Sequence, residues 1–367
     1  MKPAAAAINP EERLMFRCIE LAHKGIGYAS PNPLVGCVIT KNNKIIAEGY
    51  HKSFGGAHAE IEAINSARRK QISLKGANLY VNLEPCSHFG KTPPCAEAII
   101  NNKIAKVFIG IKDPNPLVSG KGIKKLRKNG IKVQYGILQE NCTKLNRFYI
   151  KHITTGTPYI TLKIAQTLDG KIADEKYNSK WISSYESRKM VHKFRSLYDA
   201  VLIGSHTLRI DNSKLTVRHV KGRQPYRIVI DTKLNSPLSS AIFNDRHKGK
   251  TIVVTSVKAP ANKLKQLDAK KVNVIFCRVK NNKIDLAEML THLGELGISS
   301  ILVEGGSEIF SSFVTSNLAD ELLIFQAMKI YGKGIDALQL DKKFDITKAK
   351  KLYYHFINTD ILINAIL

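Results

Sequence analysis

His58-Ala59-Glu60, then Glu84-Pro85-Cys86, then, after Ser87-His88-Phe89-Gly90-Lys91-Thr92-Pro93-Pro94, Cys95: this is the part of the chain on which the reading of the fold turns. One imidazole and two thiols are donor types that zinc takes, and three protein ligands leave a fourth coordination position open to water. A carboxylate two residues from the His adds nothing to metal binding. It suits proton transfer to and from a water that attacks an amidine-like ring carbon. His58 and Cys95 each fall at a predicted helix start, where the positive end of the helix dipole favours negative charge and a thiolate. The other cysteines, Cys18, Cys37, Cys142 and Cys277, lie in apolar or unpaired settings and are expected in the core.

Around this segment the apolar pattern alternates between helix and strand. Leu14, Cys18, Leu21 and Ala22 recur at helical spacing from Glu11 to about Lys24. Leu34 to Ile39 and Ile45 to Gly49 read as a hairpin, His58 to Ala67 as a second helix, and Asn78 to Leu83 as an apolar strand that stops at Glu84-Pro85. Pro93-Pro94 opens a third helix over Cys95 to Asn101, since proline's missing N–H costs nothing in a first turn. A strand at Val107 to Ile111, a helix near Lys121 to Asn129 and a short strand at Lys132 to Gly136 complete a first domain, residues 1–150. Thr154-Thr155-Gly156-Thr157-Pro158 reads as a linker. Strands are then predicted at Tyr159 to Ile164, Ala200 to Gly204, Arg227 to Asp231, Thr251 to Thr255, Val272 to Phe276, Ser300 to Val303 and Glu321 to Phe325, several separated by helices. That order implies a largely parallel sheet covered on both faces in a second domain, residues 151–367. No motif is found after about Asp341.

The spacing of Cys86 and Cys95 is wider than the common Cys-x-x-Cys of zinc deaminases, and the inserted residues are themselves diagnostic. The segment from Glu84 to Cys95 resembles the bacterial riboflavin-pathway diaminohydroxyphosphoribosylaminopyrimidine deaminase, as do Pro31-Asn32-Pro33, Gly49-Tyr50-His51 and Asp113-Pro114-Asn115-Pro116. The resemblance implies one Zn2+ per chain on His58, Cys86 and Cys95, and Glu60 as proton shuttle. It also implies substrate contacts from Asn32, His51, Lys91, Asp113 and Asn115.

The second domain has no Gly-x-Gly-x-x-Gly. Its nearest equivalent is Val303-Glu304-Gly305-Gly306-Ser307, where glycines let a phosphate approach a helix N-terminus. Lys163-Ile164-Ala165, Leu168-Asp169-Gly170-Lys171, Ser179-Lys180-Trp181-Ile182, Arg195, Gly204 to Thr207, Asp211, Leu215 to Arg218 and Val303 to Gly306 resemble the reductase half of the same bifunctional family, whose fold is similar to dihydrofolate reductase. The resemblance implies NADPH on Ala165, Trp181, Thr207, Asp211, Thr232 and Gly306, and substrate on Ser179, Arg195, Leu215, Arg218 and Glu304. Arg195 and Arg218 suit a ribose phosphate, because guanidinium forks match its oxygens. The chain departs from the family pattern at two places: Asn212-Ser213 follow Asp211 where Asp-Pro is usual, and Thr167 stands where Ser is common.

The fold expected is therefore α/β, an N-terminal cytidine-deaminase-like three-layer domain plus a C-terminal dihydrofolate-reductase-like domain. The activities expected are hydrolytic deamination of 2,5-diamino-6-ribosylamino-4(3H)-pyrimidinone 5′-phosphate and NADPH-dependent reduction of its ribosyl group to ribityl. A formal charge of +27 also invites a nucleic-acid (tRNA) base deaminase with an accessory α/β domain. Residues 1–150 hold 23 Lys+Arg and 10 Asp+Glu and the remainder 34 and 20, so neither half holds the excess, and the basic runs lack interleaved aromatics. That alternative gives no role to Trp181, Asp211 or Gly306. A binding protein with a relic metal site gives none to Glu60. The partner expected is a phosphorylated small pyrimidine, with no nucleic acid and no membrane. A cytoplasmic homo-oligomer, dimer or tetramer, is expected, the assembly from the resemblance alone.

Overall fold

The computed structural model describes residues 9–87, 94–116, 118–341 and 343–367. The chain divides into a first compact unit that ends at Gly156 and a second that begins at Thr157. The break lies beyond Ile150 because a helix over Arg147–Thr155 continues through that residue and stops only at Gly156, whose φ of 72° is left-handed. The Thr-Thr pair that reads as linker is helical.

In the first unit, α1 (Pro10–His23) opens on a capping box: the Asn9 side chain accepts from Glu12 N–H at 2.8 Å and the Glu12 carboxylate accepts from Asn9 N–H. Asn9→Ala is expected to cost this unit about 1 kcal/mol, read as a lower thermal midpoint of its transition. The chain then runs β1 (Gly36–Lys41), β2 (Lys44–Tyr50), α2 (Ala59–Arg69), β3 (Asn78–Leu83), α3 (Cys95–Asn101), β4 (Lys106–Ile111), α4 (Lys121–Lys128), β5 (Lys132–Tyr135), α5 (Gln139–Leu145) and α6 (Arg147–Thr155). The sheet order is β2-β1-β3-β4-β5, with β1 antiparallel to both neighbours and β3, β4 and β5 parallel.

Alternation along the strands makes the layers, because successive side chains point to opposite faces. Ile39, Leu79, Val81, Val107 and Ile109 pack under Ala63 and Ile64 of α2, Ile99 of α3 and Leu126 of α4. Val38, Tyr80 and Phe108 pack on the other face under Met15 and Cys18 of α1 and Cys142 of α5. Gly49 lets α2 lie against β2: a Cβ there would stand 2.4 Å from the Ala59 carbonyl oxygen. That close approach sets the start of α2, and with it His58 and Glu60, against the sheet.

The second unit is built on a nine-stranded sheet. Its strands are β6 (Tyr159–Gln166), β8 (Ala200–Gly204), β9 (Tyr226–Ile230), β10 (Thr251–Thr255), β11 (Asn273–Phe276), β14 (Ser300–Val303), β15 (Glu321–Gln326), β17 (Lys351–Ile357) and β18 (Asp360–Ile366), with β7 (Lys171–Ala173), β12 (Val279–Lys280), β13 (Lys283–Ile284) and β16 (Ile335–Asp336) in two small ribbons. The helices are α7 (Tyr185–Leu197), α8 (Ser205–Asp211), α9 (Ala241–Asn244), α10 (Ala261–Ala269), α11 (Leu286–Glu295) and α12 (Ser307–Thr315). The sheet order is β11-β10-β9-β8-β14-β6-β15-β18-β17. The first seven strands are mutually parallel, and β18 runs antiparallel to its neighbours β15 and β17.

Ile160, Leu162, Leu202, Ile228, Val254 and Ile301 pack on Met289 and Leu293 of α11 and Phe310 and Phe313 of α12. Alternate residues such as Val201, Ile203, Val229 and Leu302 are buried as well. Both faces are therefore covered, as parallel strands require. The residues after Asp341 carry no motif, yet they form the β17/β18 hairpin that pairs with β15 and ends the sheet. After β8 the chain adds β9, β10 and β11 outward on one side, then returns to place β14 on the other side of β8. In open α/β sheets such a reversal is where a ligand crevice is expected, here at the carboxyl ends of β8 and β14.

Candidate active sites

The structure brings His58, Cys86 and Cys95 together from three elements. His58 is the N-cap of α2, Cys86 follows the end of β3, and Cys95 is the first residue of α3. His58 Nδ1 lies 3.2 Å from Cys95 Sγ and 3.6 Å from Cys86 Sγ, and all three donor atoms fall within 4.8 Å of one another. Tetrahedral zinc with ordinary Zn–S and Zn–N bonds sets its ligand atoms about 3.6–3.8 Å apart. The donor set and the spacing fit that ion. The Cys86 sulfur is approached by the Cys95 thiol, the His58 ring and the Cys95 N–H at 3.3 Å, and these hold it as a thiolate, pulled down to about 4. Glu60, in the first turn of α2, is only 3 % exposed, and burial raises its carboxyl to about 7.

His51 and Asn32 join this site. His51 Nδ1 lies 3.0 Å from the Ala57 carbonyl, and Nε2 lies 3.1 Å from Asn32 Nδ2. The proton therefore belongs on Nδ1, donated to Ala57, with Nε2 accepting from the Asn32 amide. Burial lowers the His51 pKa, and its ring meets that of His58 edge-on at 5.8 Å. Asp113 and Asn115 lie on the loop after β4, where Asp113 Oδ1 accepts from Asn115 N–H and from the Tyr149 hydroxyl, both at 2.9 Å. Burial raises the Asp113 carboxyl. Lys91 lies outside the described residues.

Three residues without a role in the sequence reading support this arrangement. Asn82 accepts from Gly36 N–H at 2.7 Å and donates to the Leu34 carbonyl, which also accepts from Asn146. The Asn146 side chain in turn accepts from Leu34 N–H at 2.7 Å, fixing the backbone two residues beyond Asn32. Tyr149 anchors Asp113. Each partner is tens of residues distant, so no local pattern announces the pairing.

In the second unit, Ala165, Gly204 to Thr207, Thr232 and Glu304 to Gly306 stand at or just beyond the carboxyl ends of β6, β8, β9 and β14, which are neighbours in the sheet. Gly306 is the N-cap of α12, and a Cβ added to it would stand 3.6 Å from Thr207 Oγ1 in α8. Ser307 Oγ, buried in the first turn of α12, has no hydrogen-bond partner among the described residues. Donor N–H groups and an unpaired hydroxyl beside a glycine pair suit the phosphate of a dinucleotide. Trp181 is 67 % exposed, with the Arg188 guanidinium 4.3 Å above its ring.

Arg195, Asp211, Asn212, Ser213, Lys214, Leu215 and Arg218 line a cavity of about 340 Å³. Asp211, expected with the cofactor, shares it with three residues expected on the substrate side, and burial raises its carboxyl while Lys180, His206 and Ser179 nearby favour the charged form. Arg195 and Glu304 form a two-point ion pair at 2.6 and 2.9 Å, and the remaining Arg195 nitrogen donates to the Thr216 carbonyl at 3.2 Å. That fork is thus already engaged. Among the described residues Arg218 makes one side-chain bond, to Thr216 Oγ1 at 3.1 Å, and its backbone N–H donates to His192 Nδ1. Burial, with Arg195 and Arg218 nearby, pushes His192 down to about 4, so it stays a neutral acceptor. The buried Arg227 donates to the Lys214 carbonyl at 3.1 Å and to Asp245 at 2.6 Å, which fixes the cavity wall from behind.

The two departures from the family pattern have local accounts. Asn212 ends α8 in the left-handed region, φ 45°, which asparagine tolerates, and its side chain accepts from Ala241 N–H at 2.8 Å. Thr167 Oγ1 donates to Asp169 at 2.6 Å and accepts from Lys171 N–H at 2.9 Å, a pair of bonds that any β-hydroxyl provides.

Comparison with known proteins agrees with this anatomy. The family model for the cytidine and deoxycytidylate deaminase zinc-binding region matches residues 8–111, and that for the RibD C-terminal domain matches residues 158–355. The chain is 44 % identical over 326 residues to the riboflavin biosynthesis protein RibD of Aquifex aeolicus, covering 89 % of each chain. It is 42 % identical over 318 residues to that of Actinobacillus pleuropneumoniae, covering 87 % of this chain and 84 % of the relative. The crystal structure of a diaminohydroxyphosphoribosylaminopyrimidine deaminase/5-amino-6-(5-phosphoribosylamino)uracil reductase from Thermotoga maritima superposes with a TM-score of 0.85 at 41 % identity, covering 97 % of this chain and 98 % of that one. RibD of Acinetobacter baumannii superposes with a TM-score of 0.86 at 33 % identity, covering 97 % and 98 %. Identity of this order along nearly the whole length of both partners means that the chain belongs to the bifunctional RibD family of riboflavin biosynthesis, a zinc-dependent deaminase joined to an NADPH-dependent reductase.

Proposed function

We propose that the first domain deaminates 2,5-diamino-6-ribosylamino-4(3H)-pyrimidinone 5′-phosphate with Glu60 as the proton-transferring group and His58, Cys86 and Cys95 as the zinc ligands. The observation that carries this reading is the meeting of those three donor atoms beside a buried carboxylate in the same helical turn. Zinc, when bound, supplies a Lewis acid that brings the ionisation of water close to neutral pH. Glu60, shut off from solvent, takes two protons in turn from the attacking water, delivering the first to the ring nitrogen and the second to the departing amine. Asn32 and the neutral His51 hold the pyrimidine edge, and Asp113 and Asn115 hold its ribosyl side; Lys91 is a further substrate contact by resemblance alone.

The second domain reduces the ribosyl group. NADPH, when bound, supplies the hydride. Ala165, Thr207, Thr232 and Gly306 line its place at the strand ends, and Trp181 flanks it from the exposed loop. Asp211 sits where cofactor and substrate meet, beside Ser179 and Leu215. The ribose phosphate goes to Arg218, whose guanidinium makes one bond among the described residues, while Arg195, held by Glu304, forms a fixed wall of the same cavity. Holding the substrate and nicotinamide in one orientation supplies much of the rate.

We place the working protein in the cytoplasm as a homo-oligomer, dimer or tetramer. All six cysteines are unpaired, which suits a reducing compartment, and no helix among the described residues is long and apolar enough to cross a membrane. Light scattering on the purified protein tests the assembly.

The reading is tested in one cuvette by ammonia release from the diamino pyrimidine phosphate with NADPH absorbance followed alongside. Ammonia is expected first and NADPH oxidation after it. Removing zinc with a chelator is expected to abolish ammonia release while NADPH oxidation continues on substrate supplied already deaminated. Oxidation that stops on chelation of that second reaction would overturn the division of labour between the domains.

A further inference from the structure

We propose that Glu84 is a positioning residue of the deaminase site, holding the strand end that carries Cys86 and the loop that carries Asp113 in one geometry. The inference rests on the deaminase reading above. Glu84 is 3 % exposed, and no ion pair to it is found among the described residues. Its carboxylate is used instead by three backbone N–H groups from a different part of the chain. Oε2 accepts from Asp113 at 3.2 Å and from Gly120 at 2.9 Å, and Oε1 accepts from Ile123 at 3.0 Å. Its own N–H donates to the Ile111 carbonyl at 2.9 Å.

A carboxylate removed from water is costly unless hydrogen bonds replace its hydration, and a residue needed only for packing there would be apolar. Here one charged group ties three points of the site's wall together: the loop start at Asp113, the N-cap of α4 at Gly120, and the first turn of α4 at Ile123. The same helix presses directly on the residue before Cys86, since a Cβ on Gly122 would stand 2.0 Å from the Pro85 carbonyl oxygen. Two residues beyond Glu84 lies a metal ligand, and at the far end of its first hydrogen bond lies a proposed substrate contact. Their separation in space is set through this carboxylate.

Glu84→Gln keeps the size but turns one oxygen into an N–H donor facing N–H donors, so at least one of the three bonds is lost. In the intact, zinc-loaded protein the KM for deamination is expected to rise by about tenfold or more, with a smaller fall in kcat, as loss of a charge-assisted hydrogen bond implies. The amides of Gly120 and Ile123 should exchange hydrogen faster by a similar factor. Zinc should remain at one per chain, and the reductase kcat/KM on deaminated substrate should be unchanged. Glu84→Asp, charged but one carbon shorter, should move the same quantities in the same direction and serves if the Gln variant does not fold. Faster amide exchange with KM unchanged would reduce Glu84 to a structural staple and overturn the proposal, and so would loss of zinc, which would place its role at the metal alone. If the parent protein itself releases no ammonia, the functional reading fails and this proposal with it, whereas normal ammonia release by the parent beside an unchanged KM in the variant overturns the role of Glu84 alone.

Discussion

Glu60→Gln is expected to lower kcat for ammonia release by about 10³- to 10⁴-fold, the upper part of the range for a lost general acid–base. The substitution keeps the shape of a buried side chain, and it replaces a carboxylate that can accept and return a proton with an amide that cannot. His58, Cys86 and Cys95 are untouched, so metal analysis should still find one zinc per chain. NADPH oxidation on deaminated substrate should match the parent, which separates lost chemistry from lost folding. A variant that retains zinc and releases ammonia within tenfold of the parent rate would remove Glu60 from the mechanism.

The second large effect is expected at the Arg195–Glu304 pair. Burial alone would raise the Glu304 carboxyl, but the charge of Arg195 and the two hydrogen bonds from it outweigh burial and hold the group at about 2. Glu304→Ala leaves Arg195 buried opposite Lys163, whose Nζ lies 3.9 Å from Glu304 in the parent. Breaking a buried pair in this way costs about 3–5 kcal/mol, because the remaining charge is uncompensated. Denaturant unfolding should register this in the transition of the second unit, with reductase activity lost and deaminase activity kept. The double replacement Arg195→Met with Glu304→Leu is expected to recover most of the stability and none of the reductase activity. Recovery of activity would show that the pair is only a packing element.

The same pair sets a pH dependence. The Glu304 pKa is about 2 in the folded chain against an ordinary 4.5. A group whose folded pKa is depressed gives stability that is complete above the unfolded value and lost as pH falls through the folded one. Stability of the second unit should therefore be flat in this respect above about pH 5 and fall steadily from there toward pH 2. In the Glu304→Ala variant the part of the slope due to this group should vanish.

Much of the fold was legible without coordinates because its determinants are local. The strands at Ala200 to Gly204, Thr251 to Thr255 and Ser300 to Val303 are apolar runs bounded by turn residues, and they appear with the limits the pattern predicts. The helix starts at His58 and Cys95 follow from adjacent residues in the same way. That His58, Cys86 and Cys95 could meet was legible because zinc accepts few residue types, although the Cys86–Cys95 spacing is wider than Cys-x-x-Cys and only the resemblance of the intervening residues pointed to it. Domain limits were less so: the Thr-Thr pair before Gly156 reads as linker by composition, yet the helix from Arg147 simply continues through it.

By itself, then, the sequence determined most of the alternating helices and strands of both units, and it singled out His58, Cys86 and Cys95 as candidate zinc donors with Glu60 as their candidate carboxylate. Only the tertiary structure decided which polar groups meet. Arg195 finds Glu304 across 109 positions, Glu84 finds Gly120 and Ile123 across 36 and 39, and the motif-free tail closes the sheet on β15. Such pairings depend on which strands become neighbours and on which buried charges must be matched, and neither is written in the residues on either side of them.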